Sequence, residues 1–156
     1  MSKKEIKFAP REIFEQILEW SVIPTFDLII EYGNQGILLV KRKNAPYKNQ
    51  WALPGLRMFK GEEIDDVLAR IAKNEVGIQI DPKQKHLINQ YVGKFSTEYK
   101  RQDISTGYSI RVDSAQPINL NKEHFFQFRI ITSHQQIPSP MGAMYSHYLK
   151  EYFSNR

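Results

Sequence analysis

The chain has 156 residues, of which 41% are hydrophobic and 25% are charged, so it is long enough for one domain with a substantial apolar core. It contains no cysteine, which excludes a disulfide framework and a thiolate metal site and is consistent with the cytoplasmic location that we expect. The net charge of +5 favours an anionic partner, and a nucleotide and a nucleic acid both meet that condition. We expect no membrane partner, because no apolar run approaches about eighteen residues, and no signal peptide, because the chain starts with charged residues around Lys3 and Lys4.

The first predicted elements are a helix and a strand hairpin. Pro10 precedes a helix over residues 11–20, whose apolar face is formed by Ile13, Phe14, Ile17 and Leu18. We expect this helix to pack on the core, with exchange between the subunits of a dimer as the alternative. Residues 25–32 predict a buried strand, and the turn Gly33-Asn34-Gln35-Gly36 joins it to a second strand over residues 37–42.

A polar loop over residues 44–50 then leads to Trp51 and to Pro54-Gly55, where a glycine lets the backbone approach a ligand closely. The amphipathic helix that follows carries Ile64, Val67, Leu68 and Ile71 on one face. Glu75 lies four residues after Ile71, at the end of the same stripe. A buried carboxylate is costly unless it is paired or binds a cation, so Glu75 either has a partner or turns to solvent.

The remaining pattern predicts two strands and a helix. The strands are predicted over residues 85–95 and 104–112 and are joined by a polar loop. The final helix over residues 143–153 has one apolar side, formed by Met144, Tyr148, Leu149 and Tyr152, which we expect to pack on the sheet. Because the chain shows no repeat and no linker, we expect a single domain over residues 1–156.

The stretch from Trp51 to Ile78 resembles the Nudix box, with Glu62, Arg70, Glu75 and Gly77 at the positions of the box. Three positions depart from it, because the family's residues there are replaced by Leu56, Ile71 and Asn74. Two of the missing residues are helix glutamates that hold additional metal ions in ordinary Nudix pyrophosphohydrolases. The resemblance implies an α/β protein with the Nudix fold, in which a mixed β-sheet is sandwiched between helices (α/β/α).

Similar losses occur in one Nudix branch, the GDP-mannose mannosyl hydrolases, and the chain resembles that branch from Phe8 to Thr132. The shared segments are residues 23–31, 41–46, 51–55, 121–124 and 129–132. The resemblance implies a homodimer and a Mg²⁺ cofactor, with Mn²⁺ as the alternative ion. The implied metal ligands are the carbonyl of Gly55, Glu75 and Glu123, which stands where the branch has a glutamine.

The same resemblance implies roles for further residues. His124 would be the general base, and Arg57 and Arg70 would stabilise the leaving diphosphate, because guanidinium groups match phosphate oxygens. An alternative for Arg70 is a surface ion pair with Asp66. The expected substrate contacts are Asp27, Arg42, Arg57 and Tyr108. The segment Thr106-Gly107-Tyr108 lacks a histidine that the branch has at its centre, which weakens the inference about the sugar.

We therefore expect a Mg²⁺-dependent hydrolase of a nucleoside diphosphate sugar similar to GDP-mannose, in which water attacks the anomeric carbon and releases the sugar. The lost helix carboxylates fit attack at carbon, because a leaving diphosphate needs neutralisation but no hydroxide beside phosphorus. Two alternatives stay open. One is a Nudix pyrophosphohydrolase acting on another nucleotide derivative, and the other is a non-catalytic module that binds a nucleotide or RNA. Nucleic acid is the less expected partner, because the sequence shows no DNA-binding helix-turn-helix.

Overall fold

The computed structural model describes residues 8–155, so the charged start of the chain, on which the signal-peptide prediction rests, lies outside the described residues. The helices in this range are α1 (Arg11–Trp20), α2 (Ile64–Val76) and α3 (Ala143–Ser154). The strands are β1 (Ile23–Tyr32), β2 (Gly36–Arg42), β3 (Trp51–Ala52), β4 (Gly55–Arg57), β5 (His86–Lys94), β6 (Gln102–Val112) and β7 (Phe125–Ile131). Each of these helices is too short or too polar to cross a bilayer.

The described part of the chain forms a seven-stranded mixed sheet in the order β3-β2-β1-β6-β5, with β4 also paired to β1 and β7 to β2. β1 and β6 run parallel, from Ile23 opposite Asp103 to Tyr32 opposite Val112, whereas the other pairs are antiparallel. This pairing joins segments that lie far apart in the sequence. It confirms the predicted mixed sheet and places alternate residues of β1 and β6 on one shared face.

Helices cover the sheet as the α/β/α prediction requires. α2 buries Val67, Leu68 and Ile71, and α3 buries the side that was predicted for it, formed by Met144, Tyr148, Leu149 and Tyr152. Consecutive residues of β1 are buried, including Leu28, Ile29 and Ile30. Burial of neighbouring strand residues, which point to opposite faces, is expected when both faces of a sheet are covered.

α1 has the predicted bounds, but the expectation that it packs on the core is wrong. Leu18 is the buried residue of this helix, whereas Ile13 and Ile17 are 47% and 37% exposed. The main core cluster of the described residues contains no residue of α1. Phe14 instead turns towards the guanidinium of Arg57.

The ends of α2 are fixed by local hydrogen bonds, which places its last turn accurately. At the start, the side chains of Glu63 and Asp66 form a capping box, in which Asp66 Oδ2 accepts from the Glu63 N–H at 2.8 Å. At the end, Gly77 adopts a left-handed conformation with φ of 71° and closes the helix. Glu75 therefore lies in the last turn, where it is buried.

Candidate active site

Glu75 has the partner that its burial requires. Its carboxylate is buried, and Nδ1 of His124 lies 2.9 Å from both Oε1 and Oε2. Nδ2 of Asn121 lies 3.5 Å from Oε1 on the same side. A carboxylate accepts hydrogen bonds, so the contact with Glu75 suits the His124 tautomer that has its proton on Nδ1 and leaves Nε2 as an acceptor. Nδ2 of Asn121 lies 3.2 Å from the same Nδ1.

The loop before β7 brings His124 to this position. The N–H groups of Asn119 and Asn121 donate to the carbonyls of Val76 and Glu75, both at 2.9 Å, so the loop is tied to the last turn of α2. A tight turn follows, in which the His124 N–H donates to the Asn121 carbonyl at 3.0 Å. The imidazole is therefore positioned by backbone bonds as well as by its contact with Glu75.

Glu75 and His124 line a cavity of about 210 Å³, which we call the glutamate cavity. Its other lining residues are Arg42, Asn44, Ala45, Gly55, Leu56 and Phe125. Arg42 Nε donates to the Pro46 carbonyl at 2.8 Å, which holds the loop after β2 beside the cavity. A glycine is required at position 55, where β4 pairs with β1, because a Cβ there would lie 2.2 Å from Oδ1 of Asp27.

A second cavity of about 190 Å³, the aspartate cavity, adjoins the first and shares Arg42, Ala45, Gly55 and Leu56 with it. Asp27 lies in its floor and accepts a hydrogen bond from Ser105 Oγ at 2.5 Å. Ser105 in turn accepts from the hydroxyl of Tyr148 at 2.8 Å. Burial raises the pKa of Asp27 to about 7, opposed by the hydrogen bond from Ser105 and the charge of Arg42.

Arg57 and Arg70 take different positions. Arg57 lines the aspartate cavity, and its guanidinium stacks 4.0 Å from the ring centre of Phe14 and 5.1 Å from that of Phe59. Arg70 lines neither cavity and binds Glu62 through Nε at 2.8 Å and Nη2 at 2.9 Å. Its Nη2 also donates to the Arg57 carbonyl at 2.7 Å. The alternative pairing of Arg70 with Asp66 is wrong, because Glu62 is its partner.

The structure does not bring Glu123 or Tyr108 to either cavity lining. Glu123 is exposed, and it binds its neighbours through its backbone, donating to Asn121 Oδ1 and accepting from Asn44 Nδ2. Tyr108 is buried in the core, where its ring stacks on Phe26 with centroids 6.4 Å apart. Of the predicted site residues, those around the cavities are Asp27, Arg42, Gly55, Arg57, Glu75 and His124.

The polar residues of the site that were not predicted from the sequence include Thr25, Asn44, Arg101, Asp103 and Asn121. An asparagine three residues before a candidate catalytic histidine was the available signal for Asn121. Thr25 and Asp103 line the same cavity because β1 and β6 are paired in parallel. In this register Ile23 lies opposite Asp103 and Thr25 lies opposite Ser105. That register depends on tertiary structure, and neither strand contains a local signal for it.

The donors in the glutamate cavity fit a divalent cation that is shared with a substrate. Glu75 supplies a carboxylate, and Gly55 brings backbone to the same cavity. Within residues 8–155, no group of three or more His, Cys, Asp or Glu side chains is arranged to hold a metal. Mg²⁺ is usually held by one or two carboxylates together with substrate phosphates. These residues therefore fit an ion whose coordination a diphosphate completes, and they do not form a cage of their own.

The chain matches the NUDIX domain family over residues 23–151 and therefore belongs to this family. One similar curated protein is the low-salt glycan biosynthesis protein Agl8 of Haloferax volcanii, 30% identical over 95 residues, which are 61% of this chain and 56% of that protein. Another is an ADP-ribose pyrophosphatase of Methanocaldococcus jannaschii, 40% identical over 90 residues, which are 58% of this chain and 50% of that protein. The chain thus spans about half the length of the curated relatives that it matches.

Solved structures show the same fold. A MutT NUDIX hydrolase from Burkholderia pseudomallei matches with a TM-score of 0.73 and 18% identity, over 84% of this chain and 98% of that one. The NUDIX domain of Shewanella oneidensis NrtR, complexed with ADP ribose, matches with a TM-score of 0.69 and 15% identity, over 86% and 88%. The predicted family and fold are therefore confirmed. Nudix hydrolases generally use a divalent metal such as Mg²⁺.

Proposed function

We propose that this Nudix protein hydrolyses a nucleoside diphosphate sugar similar to GDP-mannose, with water attacking the anomeric carbon. The contact between His124 and Glu75 is the observation that carries this proposal. The carboxylate holds Nδ1, so Nε2 is the atom that accepts a proton from water. The His124 side chain is 39% exposed, so solvent reaches it. A carboxylate that orients a histidine base recurs in hydrolases of unrelated folds.

Cations beside the two cavities suit a leaving diphosphate. Arg42 lies in the wall that the cavities share, and Arg57 lines the aspartate cavity. Arg70 binds the Arg57 carbonyl, so we assign it a positioning role and not a direct contact with the diphosphate. Mg²⁺ held by Glu75 and the Gly55 carbonyl, together with diphosphate oxygens, would supply Lewis-acid stabilisation of the leaving group. Glu123 lies outside the cavity lining and would have to turn inward to join these ligands.

The departures from the Nudix box support attack at carbon. Ile71 is fully buried in the face of α2 that packs on the sheet, and Asn74 is exposed. Neither position supplies a carboxylate for additional metal ions. A reaction at carbon needs neutralisation of the departing diphosphate and a base for water. The cavities offer arginines for the first requirement and His124 for the second.

Hydrolysis at phosphorus is the second candidate, because one relative is named an ADP-ribose pyrophosphatase. Incubation with a panel of nucleoside diphosphate sugars and ADP-ribose, in Mg²⁺ and ¹⁸O-labelled water, separates the candidates by mass spectrometry of the products. We expect the label on a free sugar and an unlabelled nucleoside diphosphate. Label on a phosphate would establish the pyrophosphatase reaction instead. Nucleotide binding without product would favour the non-catalytic binding module.

Replacement of the proposed base tests the mechanism directly. His124→Gln should lower kcat by roughly 10²- to 10⁴-fold, the usual effect of removing a general base. His134→Gln is the matched control, because His134 lies exposed in a short turn away from both cavities. Its turnover should equal that of the wild type. Unchanged turnover in His124→Gln would remove His124 from the mechanism.

We also propose that the protein forms a homodimer. The structure has an exposed apolar strip, which we call the apolar ridge and which consists of Val22, Pro24, Val92 and Ile104. Three of them are neighbours across strands, because Ile104 lies opposite both Pro24 and Val92. Contiguous exposed apolar residues mark contact surfaces, and a second copy of the chain is the partner that we assign to the ridge.

A further inference from the structure

The floor of the aspartate cavity contains a buried polar group that its own residues leave without a partner. Thr25 is 8% exposed, and its Oγ1 has no hydrogen-bond partner among residues 8–155. Asp103, also in the floor, is 3% exposed, and Arg101 Nε donates to its Oδ1 at 2.7 Å. Buried polar atoms are normally paired, so the unpaired Oγ1 of Thr25 points to a ligand in the cavity.

Thr25 and Asp103 face this cavity together with Asp27. The parallel register of β1 and β6 puts Thr25 and Asp27 on the same face as Asp103 and Ser105, and the first three residues line the cavity. The floor therefore presents two carboxyl groups and one hydroxyl. Groups of this kind suit a ligand with several hydrogen-bond donors, whereas an anion placed here would meet the acceptor oxygens of Asp103 and Asp27.

Three arginines among the described residues line the cavity, and each has partners of its own. Arg57 stacks its guanidinium on the rings of Phe14 and Phe59, and we assign its charge to the diphosphate. Arg101 is matched by acidic partners, with Nε on Asp103 and Nη1 3.4 Å from Glu98. Arg42 directs Nε to the carbonyls of its own loop, and it lies in the wall shared with the glutamate cavity. Apolar side chains complete the cavity, among them Phe14, Phe95, Met144 and Tyr145. Such walls suit the C–H face of a sugar ring.

We infer that the aspartate cavity binds the neutral, hydroxyl-rich sugar of the substrate and that Thr25 and Asp103 determine specificity by hydrogen bonding to its hydroxyls. This inference rests on the proposed function. It places the diphosphate at the wall shared by the cavities, beside Arg42 and Gly55. A sugar whose C6 is oxidised to a carboxylate brings an anion towards Asp103 and Asp27, so the protein discriminates against it.

Binding measurements separate the sugar contribution from that of the nucleotide. In Mg²⁺, with His124→Gln as the slow parent, calorimetry compares GDP, GDP-mannose and the corresponding C6 carboxylate, GDP-mannuronate. We expect GDP-mannose to bind tighter than GDP, and the carboxylate to bind about tenfold weaker than GDP-mannose. Thr25→Val keeps the shape of the side chain and should weaken GDP-mannose binding about fivefold to tenfold, with GDP binding unchanged.

Two further variants complete the test. Asp103→Asn should weaken GDP-mannose binding and reduce the discrimination against GDP-mannuronate by about tenfold, because one repelling charge is gone. Thr106→Val is the matched control for Thr25→Val, since Thr106 is on the opposite face of β6 and lines neither cavity. It should bind all three ligands as the parent does. If Asp103→Asn fails to fold, the binding of GDP and GDP-mannose to Thr25→Val is sufficient to test the inference.

The possible failures differ from one another. Equal weakening of GDP and GDP-mannose by Thr25→Val would show that the cavity holds the nucleotide, which overturns this inference and leaves the proposed reaction intact. Wild-type affinity for GDP-mannose in Thr25→Val would also overturn it. A parent that binds GDP-mannose no tighter than GDP, combined with ¹⁸O label on phosphate, would overturn the inference and the proposed function together.

Discussion

Asp27 is held by a chain of hydrogen bonds that depends on a glycine two positions from Ser105. Tyr148 donates to Ser105, and Ser105 donates to Asp27. A Cβ at Gly107 would lie 2.8 Å from atoms of the Tyr148 ring, so this ring fits only because position 107 has no side chain. The glycine that stands where the GDP-mannose mannosyl hydrolases have a histidine therefore makes room for a tyrosine of α3.

The pKa of Asp27 makes stability depend on pH. Its pKa is raised from 3.8 to about 7 by burial in the folded state, so the folded protein holds the proton more tightly than the unfolded chain does. The stabilisation is complete below the unfolded pKa and is lost as pH rises through the folded pKa. Between pH 5 and pH 8 this residue should lower the free energy of unfolding by about 2.5 kcal/mol.

Asp27→Asn removes this titration while keeping an acceptor for Ser105. The free energy of unfolding of the variant, minus that of the wild type, should therefore rise by about 2.5 kcal/mol from pH 5 to pH 8. Urea unfolding at both pH values, without added metal, measures the difference. Asp113→Asn is a control in an exposed loop, where the aspartate accepts from the Ala115 N–H. A difference for Asp27→Asn that stays constant with pH would contradict the raised pKa.

Among the structural elements, the segment before α2 is held against the helix by the ion pair between Glu62 and Arg70. Glu62 accepts two bonds from Arg70 and a third from the Phe59 N–H at 2.7 Å. The two side chains are 6% and 13% exposed, so solvent screens the pair little. The hydrogen bond from Arg70 to the Arg57 carbonyl also connects α2 to β4. The residues that match the Nudix box thus shape the wall that carries Arg57.

Breaking this pair should be costly. Arg70→Met leaves the Glu62 carboxylate buried without its cation and should lower the free energy of unfolding by about 3 kcal/mol. Arg70→Met combined with Glu62→Leu should recover part of that loss, because no charge is then left alone. Urea unfolding of the three proteins measures the coupling. The control Arg11→Met breaks an exposed pair with Glu15 and should leave stability unchanged. An Arg70→Met variant as stable as Arg11→Met would refute the assignment.

Elements with local signals were predictable from the sequence, and long-range pairings were not. α1 has the predicted bounds, and α3 extends one residue beyond its prediction, because helix periodicity and capping act within a few residues. The sequence placed Glu75 at the end of the apolar stripe of α2 and left open whether it has a partner or turns to solvent. The contact of Glu75 with His124 depends on the loop bonds to the end of α2, which sequence periodicity does not encode. The aspartate cavity depends on the register between β1 and β6 for the same reason.

In the whole molecule, the aspartate cavity and the apolar ridge lie on different faces of the sheet. Thr25 and Asp103 face the aspartate cavity, whereas Pro24 and Ile104 alternate with them and face the other way. Val22 and Val92 are 45% and 48% exposed, and Ile104 is 38% exposed. A second copy of the chain can therefore cover the ridge without closing the aspartate cavity.

Placing a charge on the ridge should separate the subunits. In a symmetric dimer each substitution occurs twice in one interface, so Ile104→Lys sets two cations against an apolar surface. Sedimentation velocity should show a dimer for the wild type and a monomer for Ile104→Lys. The matched control is Phe126→Lys, because Phe126 is 55% exposed on β7, at the opposite edge of the sheet, and the dimer should persist. A wild-type monomer, or a dimer that Ile104→Lys leaves intact, would rule out the ridge as the interface. Because the ridge faces away from the aspartate cavity, monomeric Ile104→Lys should also keep the affinity of the wild type for GDP.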